Sequence, residues 1–165
     1  ASISVQRDGK HESIQVQIPA GIDSGKKMRL RGQGEPGSRG GPPGDLLVTL
    51  SVAPHPCFKR SGKNLEIRLP ISVTEAALGG TVELPTPGGT VSLKIPPGSG
   101  SGRKLRVRGQ GVRASSGDPG DLLVELQIVL PEVMSQPSDL DEASRTAIEH
   151  LGTLYEHPIR DSILW

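Results

Sequence analysis

I-P-A-G-I-D-S-G-K-K-M-R-L-R-G-Q-G, from Ile18 to Gly34, returns as I-P-P-G-S-G-S-G-R-K-L-R-V-R-G-Q-G from Ile95 to Gly111. Each copy is followed by P-G-D-L-L-V, at Pro43–Val48 and again at Pro119–Val124. The offset is 77 residues through the first block and 76 through the second, so one residue is missing from the intervening loop of the later copy. A repeat of this length divides the 165 residues into two similar modules. Modules of that size hold a modest core and not a deep one.

Working outward, the flanking residues alternate as half-buried strands do. Ile3 and Val5 alternate with Ser2, Ser4 and Gln6, and Ile14, Val16 and Ile18 alternate with Gln15 and Gln17. Asp8-Gly9 between them is a turn signal. Met28 and Leu30 alternate with Lys27, Arg29 and Arg31, which predicts a strand with one apolar and one basic face. Residues 46–52 read as a strand, and the unbroken Leu46-Leu47-Val48 predicts burial on both faces there. In the second module Leu65, Ile67 and Leu69 form a strand that Pro70 should end. Thr74–Leu78 reads as a short helical turn stopped by Gly79-Gly80. Val82 and Leu84, then Val91, Leu93 and Ile95, flank a Pro87-Gly88-Gly89 turn, and strands follow at Leu105-Val107 and at residues 122–129.

The expected fold is all-β: two tandem similar small β-sandwich domains followed by a C-terminal helix. The boundaries fall at 1–54 for the first domain, 55–63 for a connection, 64–131 for the second domain, 138–151 for the helix and 152–165 for a tail. Ser138 is the expected N-cap, with Asp139 and Asp141 in the first turn and Gly152 as the cap at the other end. Leu140, Ala143, Ala147, Ile148 and Leu151 share one face of the helix. Leu154, Tyr155, Ile163, Leu164 and Trp165 either dock the tail or belong to a frayed end. Thr81–Leu84 matches Ser2–Val5, and Leu65–Leu78 before it has no counterpart in the first module. The first module is therefore expected to lack its opening strand and helical turn, which would leave an unpaired edge. The start at Ala1 without a Met reads as an excised piece.

Composition excludes several functions. With 19 basic and 18 acidic residues there is no basic surplus of the kind nucleic-acid binders carry. The single cysteine, Cys57, rules out an intrachain disulfide and favours a reducing, cytoplasmic setting. No apolar run reaches membrane-spanning length. Cys57 lies near His55, but Phe58 beside them suggests packing and no oxyanion element accompanies the pair, so no catalysis is expected. His11, His55, His150 and His157 are scattered, so no metal and no cofactor are expected. The G-Q-G turns lack the strand-to-helix context and the G-K-[ST] ending of a phosphate loop.

The basic stripes, Lys27, Arg29 and Arg31 and again Lys104, Arg106 and Arg108, have three readings. They are solvated strand faces, docks for an acidic peptide tail, or nucleic-acid contacts, the last disfavoured because aromatics are 2% of the chain. Asp45 and Asp121 should each pair with a basic side chain or cap the turn before their strand. Shallow sandwiches with exposed apolar grooves suit capture of an extended peptide.

Together the two blocks, the H-P-C-F-K-R-S-G-K-N-L run from His55 to Leu65 and T-E-A-A-L-G-G-T-V-E-L-P-T-P-G-G from Thr74 to Gly89 closely resemble the C-terminal region of DnaJ/Hsp40 co-chaperones. The resemblance covers residues 2–130. It implies two β-sandwich substrate domains and a C-terminal dimerisation segment, without a J domain. The cysteine repeats of zinc-bearing members are absent, so the chain looks like the zinc-free class, which includes the curved-DNA-binding-protein-like members. The implied activity is capture of unfolded client polypeptide in a shallow groove for delivery to Hsp70. The resemblance places that groove at Ile3, Val5, Ile14 and Phe58, against the plainer readings of sandwich core for the first three and inter-domain packing for Phe58. It implies a homodimer through Leu140, Ala147, Ile148 and Leu151, against a helix folded back on its own domain. A DNA-associated module using the basic strand faces is the alternative function.

Overall fold

The computed structural model describes all of the chain except residues 8, 9, 38–40, 136, 137, 139, 161, 162, 164 and 165, and the side chains of Arg7 and Lys10 are set aside with them. The expected Asp8-Gly9 turn, the first-turn role of Asp139 and the Leu164-Trp165 end lie outside the described residues.

Alternation becomes pairing in the first unit. β1 (Ser2–Arg7) runs antiparallel to β2 (Lys10–Gln15), with Ile3 opposite Ile14 and Val5 opposite Glu12. β3 (Lys27–Leu30) runs antiparallel to β4 (Leu46–Thr49), with Met28 opposite Val48. β4 is shorter than the expected strand. Its Leu47 is 65% exposed, so the apolar run is not buried on both faces. The physical reason is that Leu47 turns to the solvent face of the pair, which it shares with exposed Lys27, Arg29 and Thr49, while Leu46 and Val48 turn to the other.

The second unit repeats these pairs and adds to them. β5 (Lys59–Ser61), β6 (Asn64–Ser72), β10 (Leu122–Val129) and β9 (Lys104–Val107) form one sheet in that order. β6 and β10 are parallel, which requires a long crossover. That crossover holds α1 (Val73–Leu78), the hairpin of β7 (Gly80–Thr86) and β8 (Gly89–Ile95), and β9. β5 lies within the stretch read from sequence as a connection.

β6 does not end at Pro70, which sits opposite Gln127 of β10. The Leu65 N–H donates to the Asp121 carbonyl at 2.9 Å, so odd-numbered residues of β6 face β10. Pro70, on the even set, turns its missing donor to the side that β5 leaves uncovered beyond Glu66.

The core lies between the four-stranded sheet and the β7–β8 hairpin. Leu122, Val124 and Leu126 of β10 are fully buried, against Ile71 of β6, Leu84 of β7, Leu93 and Ile95 of β8, and Ala76 of α1. Each large aliphatic side chain removed from water there contributes about 1.5–3 kcal/mol. α1 is fixed by a capping box: the Ser72 hydroxyl accepts the Glu75 N–H at 3.1 Å, and the Glu75 carboxylate accepts the Ser72 N–H at 2.8 Å. These bonds hold the Glu75 carboxyl below its usual range, chiefly through the Ser72 N–H. Gly79, at φ 78°, ends the helix as the sequence predicts.

After a 3-10 turn at Glu132–Ser135 comes α2 (Glu142–Thr153). Its N-cap is Asp141 and not Ser138, because the Asp141 carboxylate accepts the Ser144 N–H at 2.7 Å. Gly152 lies inside the helix and Leu154 caps it. No residue of α2 is buried, and Leu154, Tyr155 and Ile163 are each at least 63% exposed, so these tail residues are not docked.

Candidate functional site

The β1–β2 pair brings three of the four expected groove residues together. Ile3, Val5 and Ile14 share one face and are each half-buried, while Ser2, Ser4 and Ser13 turn to the other, where the Ser2 and Ser13 hydroxyls share a hydrogen bond. The pair continues past the strands, the Val16 N–H donating to the Ala1 carbonyl at 2.7 Å. Val16 is the one buried apolar side chain of this unit among the described residues.

The matching hairpin of the second unit is better covered at two positions. Leu84 is 3% and Ile95 1% exposed, whereas their counterparts Val5 and Ile18 are half-buried and 43% exposed. Val82 and Val91, the counterparts of Ile3 and Ile14, are half-buried as those are, and Leu93 is buried as its counterpart Val16 is, so the units differ at Val5 and Ile18 and not over the whole face.

Phe58 lies elsewhere. It packs against the core of the second unit, with the His55 ring 5.2 Å away. His55 Nδ1 accepts the N–H groups of Cys57 at 3.1 Å and Phe58 at 3.2 Å, which shapes the H-P-C-F turn. That nitrogen is therefore engaged with backbone, and Cys57 is exposed. Phe58 also lines a cavity of about 600 Å³ with Val52, Pro54, Leu65, Asp23 and Arg60.

Arg60 joins the two units, and the sequence reading did not single it out. Its guanidinium donates to the carbonyls of Ile22 at 2.8 Å, Gly21 at 2.7 Å and Gly62 at 2.9 Å, and it pairs with the Asp23 carboxylate. Nearby the chains meet closely: a Cβ on Gly21, whose φ is 74°, would come within 2.9 Å of Ala114 Cα. The partners of Arg60 are mostly carbonyls, which no residue pattern marks.

Each basic stripe proves to be part structure and part surface. Arg29 pairs with Asp45, and Asp45 also accepts the Gly32 N–H at 2.8 Å. In the second unit Arg106 pairs with Asp121 at 2.9 Å, and Asp121 accepts the Gly109 N–H at 2.9 Å. The Gly32 hydrogen bond first, and Arg29 second, hold the Asp45 carboxyl below the usual carboxylate range. The sequence offered pairing or capping for these aspartates, and each does both. Lys27, Arg31, Lys104 and Arg108 are left exposed.

Lys104 lines a second groove, of about 440 Å³, where Ile67 and Leu123 meet Lys59, Glu66 and Glu125. The described residues hold no cluster of three or more His, Cys, Asp or Glu suited to a metal ion. On α2, Ile148 is 37% and Leu151 42% exposed; Ala147 is exposed, and Leu140 is half-buried just before the helix.

The family model for the DnaJ C-terminal domain matches residues 1–131. The chain belongs to this family. A protein named Chaperone protein DnaJ from Ruegeria sp. (strain TM1040) is 49% identical over 124 residues, covering 74% of this chain and 32% of that protein. Chaperone protein DnaJ 1 of Streptomyces avermitilis is 48% identical over 137 residues, 82% of this chain and 35% of that protein. Chaperone protein DnaJ 2 of Cutibacterium acnes is 45% identical over 141 residues, 85% and 36% of the two chains. The chain thus spans about a third of the length of the curated relatives it matches.

Proposed function

We propose that this chain is the client-binding part of an Hsp40-type co-chaperone, capturing extended segments of unfolded protein for delivery to an Hsp70 partner in the cytoplasm. The observation that carries the reading is the β1–β2 face. Ile3, Val5 and Ile14 form an apolar stripe that stays half-exposed, and at Val5 the second unit buries the matching Leu84. A shallow, largely apolar surface, with Glu12 opposite Val5 as its polar group, suits many sequences weakly, which is what a chaperone requires. Two such faces in a homodimer joined through Leu140, Ala147, Ile148 and Leu151 would raise avidity without strengthening either site. The exposure of that helix face supports the dimer. The ion pairs of Arg29 with Asp45 and Arg106 with Asp121 offset one cation of each stripe, which favours a polypeptide client over DNA.

The test is binding of a fluorescent extended apolar peptide to the purified chain, with Ile14→Asp and Phe58→Asp as separate variants. The reading expects Ile14→Asp to weaken binding several-fold with the second unit still folded. Unchanged affinity in Ile14→Asp would move the client site off this face. A steep loss of DNA binding with salt, together with no peptide binding, would favour the nucleic-acid alternative.

A further inference from the structure

The segment that joins the two units offers its backbone few partners. Between β4 and β5, Pro54 and Pro56 have no N–H to donate. The Val52 N–H goes to the Ser24 hydroxyl at 3.1 Å. The N–H groups of Cys57, at 3.1 Å, and Phe58, at 3.2 Å, both go to one atom, Nδ1 of His55. A side-chain acceptor that reaches the next amides along its own chain is the arrangement of an Asx turn, here with an imidazole in place of the carboxylate or amide.

The turn places two side chains that act beyond it. Phe58 stands against the His55 ring and packs on the core of the second unit. Arg60, two residues on, reaches the Gly21 and Ile22 carbonyls and the Asp23 carboxylate of the first unit. β5 is three residues long and begins at Lys59, opposite Glu66, directly after the amides that His55 holds. The cavity of about 600 Å³ lies at this joint, with Ser24 and Val52 on the side of the first unit and Phe58, Leu65 and Pro87 on the side of the second.

Histidine makes such a turn conditional. Neutral imidazole has one nitrogen with a proton and one without, and only the bare one accepts. At His55 the bare one is Nδ1. Imidazolium carries a proton on both, so protonation turns Nδ1 from an acceptor into a donor that faces two N–H groups. Asparagine would hold the same turn throughout the pH range in which imidazole titrates. The charged groups that line the cavity with His55 are Asp23, Lys59 and Arg60, of which Asp23 and Arg60 pair with each other. The Cys57 thiol is exposed on the turn itself.

We propose that His55 is a pH-sensitive latch at the joint between the two units. Neutral, it holds the turn that seats Phe58 and starts β5. Protonated, it releases the Cys57 and Phe58 amides and loosens the joint at the cavity. The device acts through the turn and not through the β1–β2 face, so it stands apart from the client reading.

The test follows the isotope-labelled chain from about pH 8 to about pH 5, reading the His55 ring nitrogens, the Cys57 and Phe58 amides and the small-angle scattering radius together. At the upper end the ring should show a bare Nδ1. As the ring takes up its proton, the two amides should shift with it. Their hydrogen exchange, corrected for its intrinsic pH dependence, should rise about threefold or more, and the radius should grow. His55→Asn keeps an acceptor and should protect both amides through the whole range, whereas His55→Ala should leave them unprotected at every pH. His11, His150 and His157 titrate in all three chains, so they cannot produce the difference. A proton on Nδ1 at the upper end, amides that ignore the ring, a radius that does not follow the amides, or a transition that persists in His55→Asn overturns the proposal.

Discussion

Arg29 and Asp45 form an ion pair in the first unit whose copy, Arg106 with Asp121, closes at 2.9 Å in the second. In both, the second carboxylate oxygen takes the N–H of the first glycine in the R-G-Q-G turn. The latch fixes where the turn leaves the sheet, and it has a pH signature. A carboxyl whose pKa is lowered on folding stabilises the fold above its ordinary pKa, and that contribution disappears as pH falls through the lowered value. Asp45→Asn should therefore lower the urea midpoint at about pH 7, and the gap to the parent should close as pH falls below the ordinary carboxylate range. A gap unchanged across that range would show that the charge of Asp45 contributes nothing.

Arg60 should behave as a hinge pin. Arg60→Ala leaves three carbonyls without their charged donor, at a cost of about 1–3 kcal/mol. It should also free the two units from each other, seen as a larger radius in small-angle scattering with strand content retained. Arg60→Lys should not restore the parent radius, because a single ammonium cannot reproduce the planar fork.

Gly44 and Gly120 are sequence equivalents with opposite expected tolerance. Gly120→Ala puts a methyl against the Lys63 backbone and should unfold the second unit or cost more than about 3 kcal/mol. Gly44→Ala meets open space and should change stability by less than about 0.5 kcal/mol. Equal effects in thermal unfolding would refute that difference.

Burial sets a similar contrast between Leu122 and Leu46. Leu122→Ala removes a fully buried side chain and should cost about 2–5 kcal/mol. Leu46→Ala acts on a half-buried one and should cost visibly less in the same denaturant series.

The strands of the repeat were legible because alternation at period two is a local property, as in Leu105-Val107 and the run from Leu122 to Val129. The ion pairs were legible because each aspartate recurs at nearly the same distance from its arginine. The β5 edge strand was not: three residues, Lys59 to Ser61, carry no period and are strand only through β6. Pro70 misled because its effect depends on which side of β6 its nitrogen faces, and neighbours decide that. The helix start slipped from Ser138 to Asp141 because either residue can cap and backbone geometry makes the choice. At the candidate site, Ile3 and Ile14 could be paired from a hairpin pattern. That Phe58 packs on the other unit is a long-range fact that no local pattern holds.

The parallel pairing of β6 with β10 has a consequence for biosynthesis. Asn64 meets its partner Asp121 only after 57 further residues have been made. During translation, Ile67 and Leu69, beyond the reach of β5, must wait without a partner strand until β10 leaves the ribosome. Nascent chains stalled before Leu122 should be cut readily by protease, and chains stalled well past Val129 should resist it. A protein whose kin are named chaperones would then present, while being made, the kind of unfinished segment that its own fold is proposed to hold.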